Sequence, residues 1–253
     1  MSFPTPARPL REETIALKVV LAICLALLAV SVGVGIVYDG VLIKLLDDPS
    51  EGGAENYPSY YGAISYCGVA GWTVGAALAL FAASIAGARS AVGRFLACAG
   101  AFTVLLALDD LFRLHEHVGF ALPLGEQLIL LAYGVLALAM VWASRDVILR
   151  DTPVAVLGLA ALLLGGSGFI DATHLNVPKA FFVEDALKFL GIFVWAAYLG
   201  MVARRVCLGG GPLRPSEAAG PGATPSAPVP RQRRLSRDPH ARPAPNPRGA
   251  PSP

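Results

Sequence analysis

The chain has 253 residues, of which 55% are apolar and only 15% are charged, and its mean hydropathy is +0.60. Soluble domains carry about 25% charged residues. The composition therefore excludes an ordinary cytosolic enzyme, a nucleic-acid-binding domain and a chain that is disordered throughout. The formal net charge of +2 is unevenly distributed, because seven of the arginines follow residue 208.

Six segments of the sequence are apolar and long enough to cross a bilayer, which requires about 20 residues of helix. They are residues 15–37, 63–86, 94–114, 124–143, 153–171 and 180–203. The first is too long for the apolar region of a signal peptide and no small-x-small cleavage pattern follows it, so we interpret it as a retained anchor. Because backbone polar groups in lipid must be satisfied within their own segment, the sequence predicts an all-α integral membrane bundle of six transmembrane helices.

The basic residues near the helix ends indicate the orientation of the bundle. Nine lie on the side of the two termini: Arg8, Arg11, Lys18, Arg89, Arg94, Arg145, Arg150, Arg204 and Arg205. Four lie on the other side: Lys44, Arg113, Lys179 and Lys188. We therefore expect a multi-pass protein of the bacterial inner (plasma) membrane with both termini in the cytoplasm. Residues 1–14 form a short cytoplasmic segment and residues 15–208 the transmembrane domain.

Residues 209–253 differ sharply in composition from the rest of the chain. They hold twelve of the 20 prolines and seven arginines, opposed only by Glu217 and Asp238. Such a segment buries too little apolar surface to fold, so we expect a disordered cytoplasmic tail. Its basic charge would either contact anionic lipids or remain solvated. The bilayer is thus the expected partner, nucleic acid is not, and the oligomeric state is open.

Ionisable residues at membrane depth are costly and rare, and they usually mark a functional site that faces the bundle interior. Such residues collect at the extracytoplasmic ends of the third to sixth helices: Asp109, Asp110, Arg113, His115, Glu116, Glu126, Asp171, His174, Glu184, Asp185 and Lys188. Residues three and four apart share a helix face. This spacing aligns Asp109, Arg113 and Glu116 in one stripe on the third helix.

On the sixth helix the same spacing aligns Glu184, Lys188, Gly191, Trp195 and Tyr198 towards the interior. Lys188 lies about 12 Å inside this helix at 1.5 Å per residue, and an ammonium at that depth needs a partner. Glu184, one turn earlier, is placed to supply it. Trp72, in the second helix, is interpreted as a packing or interfacial aromatic residue.

Two histidines and several carboxylates near one membrane face fit a divalent metal. The candidate ligands are His115, Glu116, Asp171, His174 and Glu184, and imidazole with carboxylate suits Zn, Mn or Fe(II). A metal-bound water could act as a nucleophile, with Asp109, Asp110, Glu126 and Lys188 as the candidate catalytic residues. Asp110 is a candidate ligand as well. The sequence contains no HExxH, CxxC or repeated ExxH motif to support the metal.

Three functions fit this pattern. The first is a membrane-embedded hydrolase with a divalent metal in a polar pocket at the extracytoplasmic ends of the third, fourth, fifth and sixth helices. The second is a proton- or ion-coupled transporter, or an accessory membrane subunit, in which Lys188 and its carboxylate partners relay charge. The third is a structural charge network with no catalytic role.

Two stretches carry a resemblance to known proteins. They are LDDLFRLHE (Leu108–Glu116) and VEDALKFLGIFVWAAY (Val183–Tyr198). They resemble uncharacterised bacterial multi-spanning membrane proteins, which also carry an acidic pair before His-Glu on one helix and an acidic pair before Gly on a late helix. A fainter resemblance is to the alkaline ceramidase and adiponectin-receptor superfamily of membrane hydrolases, which implies His and Asp near one membrane face. This sequence lacks the seventh helix of that superfamily and its paired histidines on the last helix.

Overall fold

A computed structural model describes residues 9–38, 41–46, 60–115, 125–173 and 180–208. Every regular element within these ranges is an α-helix. In chain order the helices are α1 (Pro9–Val37), α2 (Val41–Leu46), α3 (Ala63–Ala86), α4 (Ala91–Phe112), α5 (Gly125–Ala143), α6 (Arg145–Asp151), α7 (Val154–Thr173) and α8 (Ala180–Cys207).

The predicted all-α membrane-helix fold is confirmed. Five helices, α1, α3, α4, α7 and α8, are long and apolar enough to cross a membrane, and α5 with α6 gives a sixth candidate that bends by 68°. α1 begins at Pro9, six residues before the predicted start, and proline suits the first turn of a helix because its missing N–H needs no partner there. The cytoplasmic position of both termini stays a prediction. Residues 1–8 and the predicted tail, residues 209–253, lie outside the described residues.

Two short helices, α2 and α6, were not among the predicted elements. α6 forms where the apolar run of α5 ends, and its sequence places two charged residues on each side of three apolar ones. It buries Val147 and Ile148 against the core and exposes Arg145 and Arg150. The guanidinium of Arg145 lies 4.7 Å from the ring centroid of Trp142 at the end of α5. This amphipathic pattern explains why α6 turns away from the direction of α5 instead of extending it.

α8 is the central helix of the bundle, and it packs against α1, α3 and α7, while α3 also packs against α4. Its inner residues Val194, Tyr198 and Leu199 are fully buried. The Trp195 and Tyr198 rings stack at a centroid distance of 5.6 Å. The predicted interior stripe of α8 is therefore confirmed for these two aromatic residues.

Two glycines allow α3 and α8 to approach closely. A Cβ atom added to Gly75 would lie 3.3 Å from the Cα atom of Ala196, and one added to Gly71 would lie 2.9 Å from Cγ2 of Ile192. The pair has the G-x-x-x-G spacing that favours close helix packing in membranes, where dispersion replaces the hydrophobic effect as the driving force. Because this contact fixes α3 relative to α8 along the helix axes, it also determines which side chains of the two helices face each other.

We expect the Gly75→Val substitution to weaken the bundle, because the added side chain must displace the backbone of α8. Overpacking of this kind costs about 1–3 kcal/mol. The measurement is the thermal unfolding midpoint of the purified protein in detergent. Gly158→Val on α7 is the matched control, since nothing lies within 4 Å of a Cβ atom at that position. Equal midpoints for the two variants would contradict the proposed role of the α3–α8 contact.

Candidate functional site

The ionisable residues meet at one end of the bundle, which we call the pocket end. It is formed by α2, the first turns of α3 and α8, and the last turns of α4 and α7. Its central contact joins Lys188 of α8 to Asp110 of α4, whose Oδ1 atom is the partner of the lysine Nζ atom. The Asp110 side chain is 13% exposed and that of Lys188 40%. The lysine side chain of this ion pair is thus partly exposed, whereas the aspartate side chain is largely buried.

Asp110 binds a third helix through its second oxygen atom. Nε1 of Trp72 on α3 donates a hydrogen bond of 3.2 Å to Oδ2 of Asp110. Trp72 is only 4% exposed, so its indole N–H needs a protein acceptor. One carboxylate therefore connects α3, α4 and α8. The interpretation of Trp72 as a packing aromatic residue was incomplete, because it also donates to the central carboxylate.

Two further carboxylates act on Lys188. Asp171, near the end of α7, and Asp185, on the first turns of α8, lie close enough to attract the ammonium electrostatically. The group of one lysine and three aspartates carries a net charge of −2 when all are ionised. An additional cation would be attracted to this end of the bundle.

A small cavity lies beside the ion pair. It has a volume of about 40 Å³ and its lining includes Ser65, Asp110, Asp185, Lys188 and Phe189. A buried water needs about 10–15 Å³ on this measure, so the cavity has room for about three waters or a small ion. The hydroxyl of Ser65 donates a hydrogen bond of 2.8 Å to the carbonyl oxygen of Leu46, which holds α2 at the rim.

Asp109, the neighbour of Asp110, forms a separate cluster. Consecutive residues on a helix diverge by about 100°, so the two carboxylates point to different partners. Oδ2 of Asp109 lies 2.7 Å from Nδ1 of His115, and Oδ1 accepts a hydrogen bond of 2.9 Å from the backbone N–H of His115. Both residues are buried. Tyr133 of α5 also interacts with the Asp109 carboxylate.

The turn after α4 makes the Asp109–His115 contact possible. Arg113 adopts the left-handed conformation, with φ of 50°, and its backbone N–H donates to the carbonyl oxygen of Asp109. This conformation costs roughly 1–2 kcal/mol for a residue other than glycine. The two hydrogen bonds to His115 offset that cost. The helix thus ends at Phe112, so Arg113 does not continue the helix face of Asp109 as predicted; Glu116, the third residue of the predicted stripe, lies outside the described residues.

The structure brings five of the predicted site residues into two clusters, one with Asp110, Asp171 and Lys188 and the other with Asp109 and His115. Glu184 lies on α8, one turn before Lys188. Lys188 was predicted to pair with Glu184 of the same helix, whereas the structure pairs it with Asp110 of α4. Glu126 lies on α5 but its side chain is outside the described residues, as are Glu116 and His174.

The predicted metal site depends on residues that the structure does not describe. Within the described ranges, no group of three or more His, Cys, Asp or Glu side chains is arranged to hold an ion. Asp110 is engaged by Lys188, and His115 by Asp109. A metal at the pocket end therefore needs Glu116 or His174, and the metal stays a prediction.

Comparison with known protein families places most of the chain in a family. Residues 15–202 match the family described as "Domain of unknown function (DUF8692)". The matched segment is about three quarters of the chain, and it includes Asp109, Asp110 and their partners His115 and Lys188. No curated protein and no solved structure matches the chain. The chain is a multi-pass membrane protein, and it belongs to the DUF8692 family.

Proposed function

We propose that this protein is an ion- or proton-coupled membrane transporter whose coupling site is the Asp110–Lys188 pair at the pocket end. The observation that carries the proposal is an ion pair between two different helices, two turns inside α8 and beside a cavity of water size. Ionisable residues at membrane depth are typical of ion and proton pathways. An ion pair that joins two helices can also change partners when the helices move.

The size of the cavity favours this function over one with a large substrate. Pockets for drug-sized ligands have volumes of about 300–1,000 Å³, whereas this cavity has about 40 Å³. Its carboxylates attract a cation, and the Lys188 ammonium occupies the position that such a cation would take. An entering cation would compete with the Lys188 ammonium for the Asp110 carboxylate. Ion binding would thereby be coupled to the contact between α4 and α8.

A purely stabilising role is a weak explanation for the pair. In other proteins, replacing a buried ion pair by apolar residues is often neutral or stabilising by about 1–4 kcal/mol, so two apolar residues would often serve a structural role as well.

Lys188→Met is expected to lower ion flux about tenfold or more, because it removes the charge that exchanges with the incoming cation. The measurement uses purified protein in liposomes with imposed Na⁺, K⁺ or H⁺ gradients and entrapped fluorescent indicators. Lys18→Met, which changes an exposed lysine on α1, is the matched control and should transport at the wild-type rate. The proposal fails if wild-type liposomes are no more permeable than protein-free ones, or if Lys188→Met transports like the wild type.

A double-mutant cycle separates transport from a structural charge network. Asp110→Asn leaves Lys188 without its central counter-charge, and we expect a loss of about 2–4 kcal/mol, limited by the partial exposure of the lysine. Combining it with Lys188→Met should recover most of that stability but none of the flux. The readouts are thermal unfolding in detergent and flux in liposomes. A stable double variant that still transports would favour the purely structural role.

One observation favours a second candidate, the membrane-embedded hydrolase. A carboxylate that holds Nδ1 of a buried histidine is the arrangement that orients metal-binding and general-base histidines, and Asp109 holds His115 in this way. The resemblance to the ceramidase and adiponectin-receptor superfamily supports the same candidate. Its metal would be Zn, Mn or Fe, held by His115 together with Glu116 or His174.

Metal analysis distinguishes the two candidates. If transport is the function, protein purified after growth with added Zn, Mn and Fe should retain less than about 0.1 equivalent of metal, since a genuine structural or catalytic site survives purification. A hydrolase should retain about one equivalent and lose it in His115→Gln. The measurement is elemental analysis by mass spectrometry, with Tyr66→Phe, a change at an exposed tyrosine on α3, as the matched control. A full equivalent lost only in His115→Gln would make the hydrolase the better assignment.

A further inference from the structure

A series of polar contacts continues along α8 from the pocket end to its other end. Trp195 Nε1 donates a hydrogen bond of 2.9 Å to the hydroxyl of Thr103 on α4. Further along, the hydroxyl of Tyr198 donates one of 3.2 Å to Oγ1 of Thr152, just after α6. At 1.5 Å per residue, Lys188 and Arg205 are about 25 Å apart along the helix, which is close to the thickness of the hydrocarbon core.

The middle of this series is filled by aromatic rings. Tyr198 is fully buried and stacks on Trp195, and the ring of Phe95 meets Tyr198 edge-on at a centroid distance of 6.4 Å. These side chains occupy the interior between the cavity and the other end of α8. Polar atoms therefore extend through the bundle, but in this state the packed rings separate them.

The series ends at a three-element contact. Arg205 donates two hydrogen bonds of 2.8 Å to the two carboxylate oxygens of Glu13 on α1, through Nε and Nη2. Its Nη1 donates a third, of 2.7 Å, to the backbone carbonyl of Asp151 at the end of α6. Glu13 is only 8% exposed. A bidentate arginine–carboxylate pair has a fixed geometry, so it holds α1, α6 and α8 together at this end.

We propose that the Glu13–Arg205 pair is the closed gate of the transport pathway, at the end opposite the cavity. This inference deepens the proposed function and rests on it. A coupled transporter must not be open at both ends at once. Here one end has a cavity beside an ion pair, and the other is tied by three charge-assisted hydrogen bonds. Breaking the Glu13–Arg205 pair would loosen α1 from this end of α8 and would allow α8 to carry the Tyr198 ring away from Phe95 on α4.

The gate predicts a gain of transport, which separates it from a purely stabilising contact. In the same liposome assay, Glu13→Gln should raise the ion flux about threefold to tenfold, because the open state gains population. Asp146→Asn, which removes an exposed carboxylate on α6, is the matched control and should leave the flux unchanged. The charge-reversed pair, Glu13→Arg with Arg205→Glu, should lower the flux again towards the wild-type value, because it restores the ion pair but not the hydrogen bond to the Asp151 carbonyl oxygen.

A crosslink tests the same gate by comparing the crosslinked and reduced states of one variant. With the four native cysteines replaced by serine, Glu13→Cys and Arg205→Cys are joined by a short bis-methanethiosulfonate reagent. Flux should stop after crosslinking and return on reduction. The gate is overturned if the wild type transports but monodisperse Glu13→Gln protein shows no increase, or if the crosslinked protein transports like the reduced one. Absence of wild-type flux would instead overturn the proposed function.

Discussion

A lysine ammonium two turns inside a membrane helix must have a counter-charge, and the organisation of the pocket end depends on how Asp110 meets that requirement. The aspartate belongs to α4, so the ion pair fixes α4 relative to α8. Its second oxygen accepts from Trp72, which adds α3 to the same contact. The glycines of α3 bring the α3 and α8 backbones close together. The positions of α3, α4 and α8 must therefore allow both the close packing of small residues and the pairing of Asp110 with Lys188.

The consecutive aspartates of α4 divide the ionisable residues into two clusters with different chemistry. Asp110 holds a partly exposed ammonium beside a cavity. Asp109 holds a buried imidazole through two hydrogen bonds next to a left-handed turn. A partly exposed cation beside a cavity suits ion movement, whereas an imidazole oriented by a carboxylate suits ligation or proton abstraction. This difference is the physical basis for ranking transport above hydrolysis.

The sequence was sufficient to predict the helices that span the membrane, because their length and apolar character follow from the thickness of the bilayer. It was also sufficient to place Asp109, Asp110, Asp171 and Lys188 at one end. The partner of Lys188 could not be predicted from helical spacing, since spacing reports only neighbours on the same helix, such as Glu184. A contact between helices depends on how the helices are rotated and how closely they approach. The Gly71–Gly75 spacing suggests a close approach of α3 to another helix, but it does not identify the residues that face each other.

Trp72 and Arg113 illustrate two other limits. Trp72 lies ten residues into α3, deeper than an interfacial tryptophan, and that depth was a signal that its N–H needed a buried acceptor. The left-handed turn at Arg113 had no such signal, because neither glycine nor asparagine marks it. Its cause is the reach of the Asp109 carboxylate to the His115 backbone, a contact across six residues that regular helix geometry does not contain.

The two ends of α8 differ in a way that bears on mechanism. Lys188 pairs with Asp110 beside a cavity, and the carboxylates of Asp171 and Asp185 also attract it. Arg205 is satisfied by a bidentate carboxylate and a carbonyl oxygen, so leaving that arrangement breaks three hydrogen bonds together. Of the two cations, Lys188 therefore has the contact that an incoming ion could replace more readily. In the proposed mechanism, an ion that displaced Lys188 from Asp110 would loosen α8 from α4 and transmit the change along α8 to the aromatic rings. The Glu13–Arg205 pair would then set the energy that this displacement must overcome before the second end could open.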